Sequence, residues 1–365
     1  MRCSLALTLL VGCVAFSFVN PASSDGAELY GLTPGPVKLK SAGPLSFGPS
    51  SVLFVGDAKA AKVYAINTDD KQTNAASSYD VDDLASKVAA AYGADEATIV
   101  DLAVNPETGN AFLSVAAGGT FGIAKVTPNG KVTVLNLDKI PNASVALANA
   151  PEDKLSQGRR PRNPRDSSIT DVAYTAGRVL VAGLAAGDSP SAVREFDFPF
   201  NESAAGIRVE IFHAAHGRSE DYAPIQTFVP FNIGGEASLL AGYTCTPLVK
   251  IPIAKLESET KVTGTTVAEL GNRNRPLDMI VYNKDGKDYV LMANSARGVM
   301  KISTDRLAEN TGLTERVSGG GVAGQSYETV SAWEGIVQLD KLDDKHALVV
   351  AQSDAGTTLK SVELP

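Results

Sequence analysis

Short apolar runs that end in a small residue recur along the chain. They read Val52-Leu-Phe-Val-Gly56, Phe112-Leu-Ser-Val-Ala116, Val179-Leu-Val-Ala182, Leu239-Leu-Ala241, Val290-Leu-Met-Ala293 and Leu348-Val-Val-Ala351. A second strand pattern follows each, from Lys62-Val-Tyr-Ala-Ile66 in the first copy to Leu359-Lys-Ser-Val362 in the last. A third precedes each, as in Val100-Asp-Leu-Ala-Val104, Thr170-Asp-Val-Ala-Tyr174 and Pro276-Leu-Asp-Met-Ile-Val281. A fourth follows most copies, for example Lys131-Val-Thr-Val-Leu135 and Thr265-Thr-Val-Ala-Glu-Leu270. One twisted four-stranded sheet cannot bury both faces alone, whereas a closed ring of such sheets can. This repeat therefore predicts an all-β chain, a β-propeller of six four-stranded blades, or seven if one blade is degenerate.

The last copy ends at Val362-Glu-Leu-Pro365 without a fourth strand, and a surplus segment, Pro36-Val-Lys-Leu-Lys-Ser41, precedes the first. The expectation is that this N-terminal strand completes the last blade and joins the ends of the chain. Two stretches interrupt the repeat. Residues 80–93 have Asp80 as an N-cap, Val81, Leu84 and Val88 on one face and Gly93 as a stop, which predicts a short amphipathic helix. Residues 141–168 form a Pro- and Arg-rich insert containing Gly158-Arg-Arg-Pro-Arg-Asn-Pro-Arg165. The segment Leu53-Phe-Val-Gly-Asp-Ala-Lys-Ala-Ala-Lys-Val-Tyr-Ala-Ile66, a strand, an Asp-containing turn and a second strand, resembles a repeat of six-bladed propellers of the NHL-repeat and gluconolactonase/regucalcin-like type. The resemblance is one of architecture across residues 36–365.

The N-terminus changes the picture of where such a ring works. Arg2 followed by an apolar run from Leu5 to Val19, with Ala22 and Ser24 beyond, reads as a secretory signal over residues 1–24. This predicts a secreted or periplasmic protein whose single domain spans 25–365. Leu10-Val11-Gly12-Cys13 also fits a lipoprotein box, a weaker match because the apolar run continues past the cysteine. Removing the signal leaves Cys245 alone, which excludes an internal disulfide. No other stretch is long and apolar enough for a membrane span. With 33 Lys+Arg against 41 Asp+Glu and a net charge of −8, nucleic acid is not an expected partner.

Equivalent positions on the innermost strands converge on the ring axis. Reading down the repeat gives Ser46, Asp101, Asp171, Gln226, Asp278 and Glu334. Carboxylates gathered at one axis repel unless a cation or a proton lies among them. Asp101, Asp171, Asp278 and Glu334 are therefore candidate ligands for one divalent cation such as calcium, against the alternative that they accept backbone N–H groups. The lactonase-like resemblance implies a divalent cation on the inner strands, but Ser46 stands where that family has Glu. His213-Ala-Ala-His216, with Glu220 and Asp221 following, can bind zinc or copper or act as a base. Arg273, Arg275 and Asn294 are candidate donors to an anionic ligand. No Gly-x-Ser-x-Gly elbow, phosphate loop or His-Glu-x-x-His motif is present. The reading that results is an exported propeller acting as a ligand-binding or protein-interaction module, meeting a small molecule or a protein partner at the channel mouth. The alternative is a metal-dependent hydrolase of the lactonase or esterase kind, so enzyme or binder is left open.

Overall fold

The computed structural model describes residues 30–73, 78–157, 159–202, 204–245 and 247–365; the signal segment 1–24 and Cys13 lie outside them. Six antiparallel sheets, each with a four-stranded core, form the blades of a β-propeller. Numbering blades in chain order, the innermost strands are Leu45–Phe47, Ala97–Val104, Asp171–Thr175, Ile225–Ile233, Pro276–Lys284 and Ile336–Lys341. Second and third strands coincide with the repeated apolar runs, as in Val52–Asp57 and Lys62–Asn67 of the first blade.

The order of blades around the ring differs from their order in the chain. Inner strands touch in the sequence second, first, third, fourth, fifth, sixth and back to second. The apolar packing agrees. One cluster joins Val52, Phe54 and Val63 of the first blade to Val172, Val179 and Phe196 of the third. Another joins Leu53, Val55 and Ile66 to Ala103, Phe112 and Ile123 of the second. Val52 and Phe54 thus face one neighbour while Leu53 and Val55 face the other, the period of two expected of a strand buried on both sides. Each such side chain contributes about 1.5–3 kcal/mol on burial.

Ring closure is corrected accordingly. The sixth blade takes its outermost strand from Asp80–Val81, which pairs with Lys360 and Leu359. Residues 36–41 instead run along the first blade, where buried Asp57 accepts the Lys40 N–H at 2.6 Å and the Ser41 hydroxyl at 2.8 Å. The short strand Thr33–Gly35 pairs with Ile140–Ala146, and that strand completes the first blade. The stretch read as an insert therefore begins with a blade strand. The described residues of the remainder form a loop with one 3-10 turn, Pro164–Ser167. The helix is Leu84–Tyr92, ended by Gly93 at φ 66°, so Asp80 is a strand residue and no N-cap.

Between the first blade and the closing strand, residues 68–73 and 78–79 cross the second blade. Asp70 fastens the crossing: its buried carboxylate takes the side chains of Asn105 (2.9 Å), Asn110 (2.9 Å), Thr108 and Lys125. Tyr79 adds a hydroxyl bond to the Gly109 carbonyl at 2.8 Å. Among the described residues no helix is long and apolar enough to cross a membrane.

Candidate functional site

The ring axis is an open channel with two funnels. The wider, about 860 Å³, opens where the inner strands end; the narrower, about 500 Å³, opens where they begin. Asp101, Asp171 and Asp278 line both and so form the waist between them.

Three of the four predicted carboxylates are therefore brought together. Glu334 is not; it lies exposed on the turn before its strand. One-residue bulges at 100, 226, 277 and 337 shift the register of four inner strands. After each bulge stand Asp101, Thr227, Asp278 and Gln338; Gln226 is itself the bulged residue and still lines the narrow funnel, while Glu334 precedes its strand altogether. Asp340, two positions beyond Gln338 and on the same side of the strand, supplies the fourth carboxylate of the wide funnel.

Each of these carboxylates stitches its blade to the next one around the ring. Asp101 Oδ2 accepts the Leu45 N–H (2.6 Å), Asp171 Oδ2 that of Phe228 (2.7 Å), Asp278 Oδ2 that of Leu339 (2.8 Å) and Asp340 Oδ2 that of Val104 (2.7 Å). The second oxygen of Asp171, Asp278 and Asp340 accepts the amide of its own following residue. All four bonds run in the same rotational sense. Asp101, Asp171 and Asp278 thus accept backbone N–H groups of the adjacent blades.

Their surroundings make ionisation costly. Burial pushes the Asp171 carboxyl up to about 7 against the pull of the Phe228 amide and the Thr227 hydroxyl, and Asp340 up to about 6. Asp101 and Asp278 also lie well above the usual carboxylate range, through burial first, then for Asp278 through the charge of Asp101, and for both through the charges of Asp171 and Asp340. The wide funnel also holds Glu107, Asp343 and Asp344, seven carboxylates in all, against Lys341 and His346. The half-buried Phe47 and Tyr174 stand among its walls, while Phe228 is buried in the core beside it.

His213 and His216 lie away from this channel, at the end of the third blade's outer strand Ile207–His213. Both imidazoles turn to Glu220, on the short returning strand Arg218–Glu220. Burial works to raise the Glu220 carboxyl, yet hydrogen bonds from Arg218, His213, His216 and Tyr222 bring it down to about 2. Burial lowers His213 below its ordinary value. Of the remaining candidates, Arg275 is exposed and lines the narrow funnel, and Arg273 is exposed. Asn294 is buried at the end of the strand Lys287–Asn294, donating to the Asn274 side chain at 3.1 Å. Cys245, half-buried, donates its N–H to the Asn274 carbonyl at 2.8 Å.

No protein-family model matches the chain, and no curated protein matches it. Among solved structures it is similar to Drosophila semaphorin 1b extracellular domains 1–2, at 10% identity over 92% of this chain and 87% of that one, with a TM-score of 0.41. It is also similar to a putative oxidoreductase (glucose dehydrogenase) of Thermus thermophilus, at 12% identity over 91% and 100%, TM-score 0.36. A third is the PQQ-bound aldose sugar dehydrogenase of Streptomyces coelicolor, at 9% identity over 91% and 96%, TM-score 0.31. Strand order and register within the chain itself establish the architecture: it is a six-bladed β-propeller.

Proposed function

We propose that the protein is an exported binding module whose wide channel mouth takes a small organic cation. The observation that carries this is the funnel of about 860 Å³, floored by Asp101, Asp171, Asp278 and Asp340 and walled in part by aromatic rings. That volume suits a small-molecule site. Seven carboxylates against one lysine and one histidine favour positive charge in the ligand, and rings beside an acidic floor suit an alkylammonium group. Export rests on the pattern of residues 1–24.

Hydrolysis is less well served by the same geometry. Both oxygens of Asp171, Asp278 and Asp340 already accept one amide each, which occupies half of their acceptor capacity and fixes their orientation, leaving less freedom to act as a general base. The test is a thermal-shift panel of choline, tetramethylammonium and spermidine, with gluconolactone, glucose and calcium chloride alongside. Stabilisation by the amines, weakened about tenfold or more in Asp278→Asn, supports the reading. A shift with calcium alone, followed by lactone hydrolysis, would replace it with the metallohydrolase. No shift with any of them would turn the search to a protein partner.

A further inference from the structure

Outside the channel, one cluster brings together side chains that the ring does not use. The outer strand of the third blade ends at His213, a tight turn follows, and Arg218–Glu220 returns alongside it. Glu220 sits between the two imidazoles, its Oε2 2.9 Å from His213 Nδ1 and its Oε1 2.8 Å from His216 Nδ1. The rings face each other with centroids 3.9 Å apart. One donor atom from each of the three residues lies within 4.8 Å of the others, the only such group of His, Cys, Asp or Glu among the described residues.

Two buried atoms beside this cluster have no partner. One is His213 Nε2, on a side chain that is 7% exposed. The other is Oε1 of Glu269, a fully buried residue on the fourth blade's outer strand. Glu269 is adjacent, since its Oε2 accepts the Ala215 N–H at 3.1 Å. Burying a polar atom without a hydrogen bond is costly, and two within one small region require an explanation.

We propose that His213, His216 and Glu220 form a zinc site, with Glu269 as the buried carboxylate behind it. Tetrahedral zinc at the usual bond lengths spaces its donors about 3.3–3.5 Å apart, so the present 2.8–2.9 Å contacts open by roughly half an ångström to admit it. The ion takes the place of the protons now shared between each Nδ1 and the carboxylate. Binding through Nδ1 leaves the His213 ring proton on Nε2, the atom now without a partner. A carboxylate behind a ligating imidazole is the usual support for that proton; His213 Nε2 and Glu269 Oε1 are not bonded to each other in this arrangement, and a shift of one toward the other on metal binding would satisfy both. Two imidazoles and one carboxylate favour zinc over calcium or magnesium, which prefer all-oxygen sites. Access is from solvent, because the side chains of His216 and Arg218 are 45% and 66% exposed.

Arg218 gives the assignment a test of sign. Its Nε lies 2.9 Å from Glu220 Oε1, so the guanidinium competes with a metal for that oxygen. The protein is stripped with chelator and titrated calorimetrically with zinc, calcium and magnesium chlorides, with a cobalt spectrum as a report of nitrogen ligation. The expected result is one zinc per chain and no comparable calcium binding. His216→Ala, at a half-exposed position that leaves the fold intact, weakens zinc at least about 100-fold. Arg218→Ala tightens it several-fold, and the channel variant Asp278→Asn leaves it unchanged. Zinc binding no better than calcium, or equal binding by His216→Ala, overturns the site. Weaker binding by Arg218→Ala overturns the role of Glu220 as a ligand.

Discussion

Replacing Asp171 with Asn removes one of the channel's costly charges while keeping its shape. The Asp171 carboxyl titrates at about 7 in the folded chain against an ordinary value of 3.8, because burial disfavours its charged form. A raised folded pKa means that the folded state holds the proton more tightly than the unfolded one. The stability this contributes is complete below pH 4 and is lost as pH rises through 7. Full transfer of that shift at about 1.4 kcal/mol per unit gives roughly 4 kcal/mol. Water still reaches the side chain through the funnel, so about 1–2 kcal/mol is the working figure. Asn keeps one carbonyl oxygen for the Phe228 or Val172 amide and forfeits the other, a loss of about 1 kcal/mol at every pH. That constant loss cancels when each protein is compared with itself. Urea unfolding at pH 5 and pH 8 therefore has a defined outcome: wild type is more stable at pH 5, and the gap narrows by about 1–2 kcal/mol in Asp171→Asn. An unchanged or wider gap would refute the assignment of the titration to this carboxyl.

Asp70→Ala strands the buried ends of Asn105, Thr108 and Lys125, and should cost about 3–5 kcal/mol by urea unfolding. A loss under 1 kcal/mol would mean that the crossing segment is not fastened there. Val81→Asp places an unpaired charge in the closing strand and should cost about 3 kcal/mol or more, whereas a silent change would deny that this strand closes the ring. Trypsin should cut first at Lys154, Arg159 or Arg162, which are exposed on the loop after the first blade, and leave the ring folded. Mass mapping of the first fragment decides this, and an initial cut within a blade would contradict the loop's position.

The blades were legible because each buries both faces of its second strand, which forces near-continuous apolar runs such as Val52-Leu-Phe-Val. Their order was not, since apolar periodicity records that a strand is buried and not what it is buried against. The closing strand Asp80–Val81 has two residues, too few to show any period, and helix-like residues follow it directly. Ile140–Ala146 was hidden by its composition, Ile-Pro-Asn-Ala-Ser-Val-Ala, which reads as loop although it completes a blade. In the channel, Asp101, Asp171 and Asp278 follow the repeat. The bulge at 226 puts Thr227 in register in the fourth copy, and the sixth inner strand begins only at Ile336, so Glu334 falls on the turn before it and Asp340 supplies the carboxylate. His213, His216 and Glu220 are close in sequence and could be found there. Glu269 comes from another blade, and only the packing of outer strands brings it near.

The channel account turns on whether its carboxylates carry the charge that a cation meets. Choline titrated calorimetrically into wild type at pH 5 and at pH 8 tests this most directly. Asp171 and Asp340 ionise at about 7 and about 6, so the floor is more negative at pH 8. The account predicts binding at least several-fold tighter at pH 8, with protons released to the buffer near pH 6.5. Equal or tighter binding at pH 5, or binding with no proton release, would contradict it.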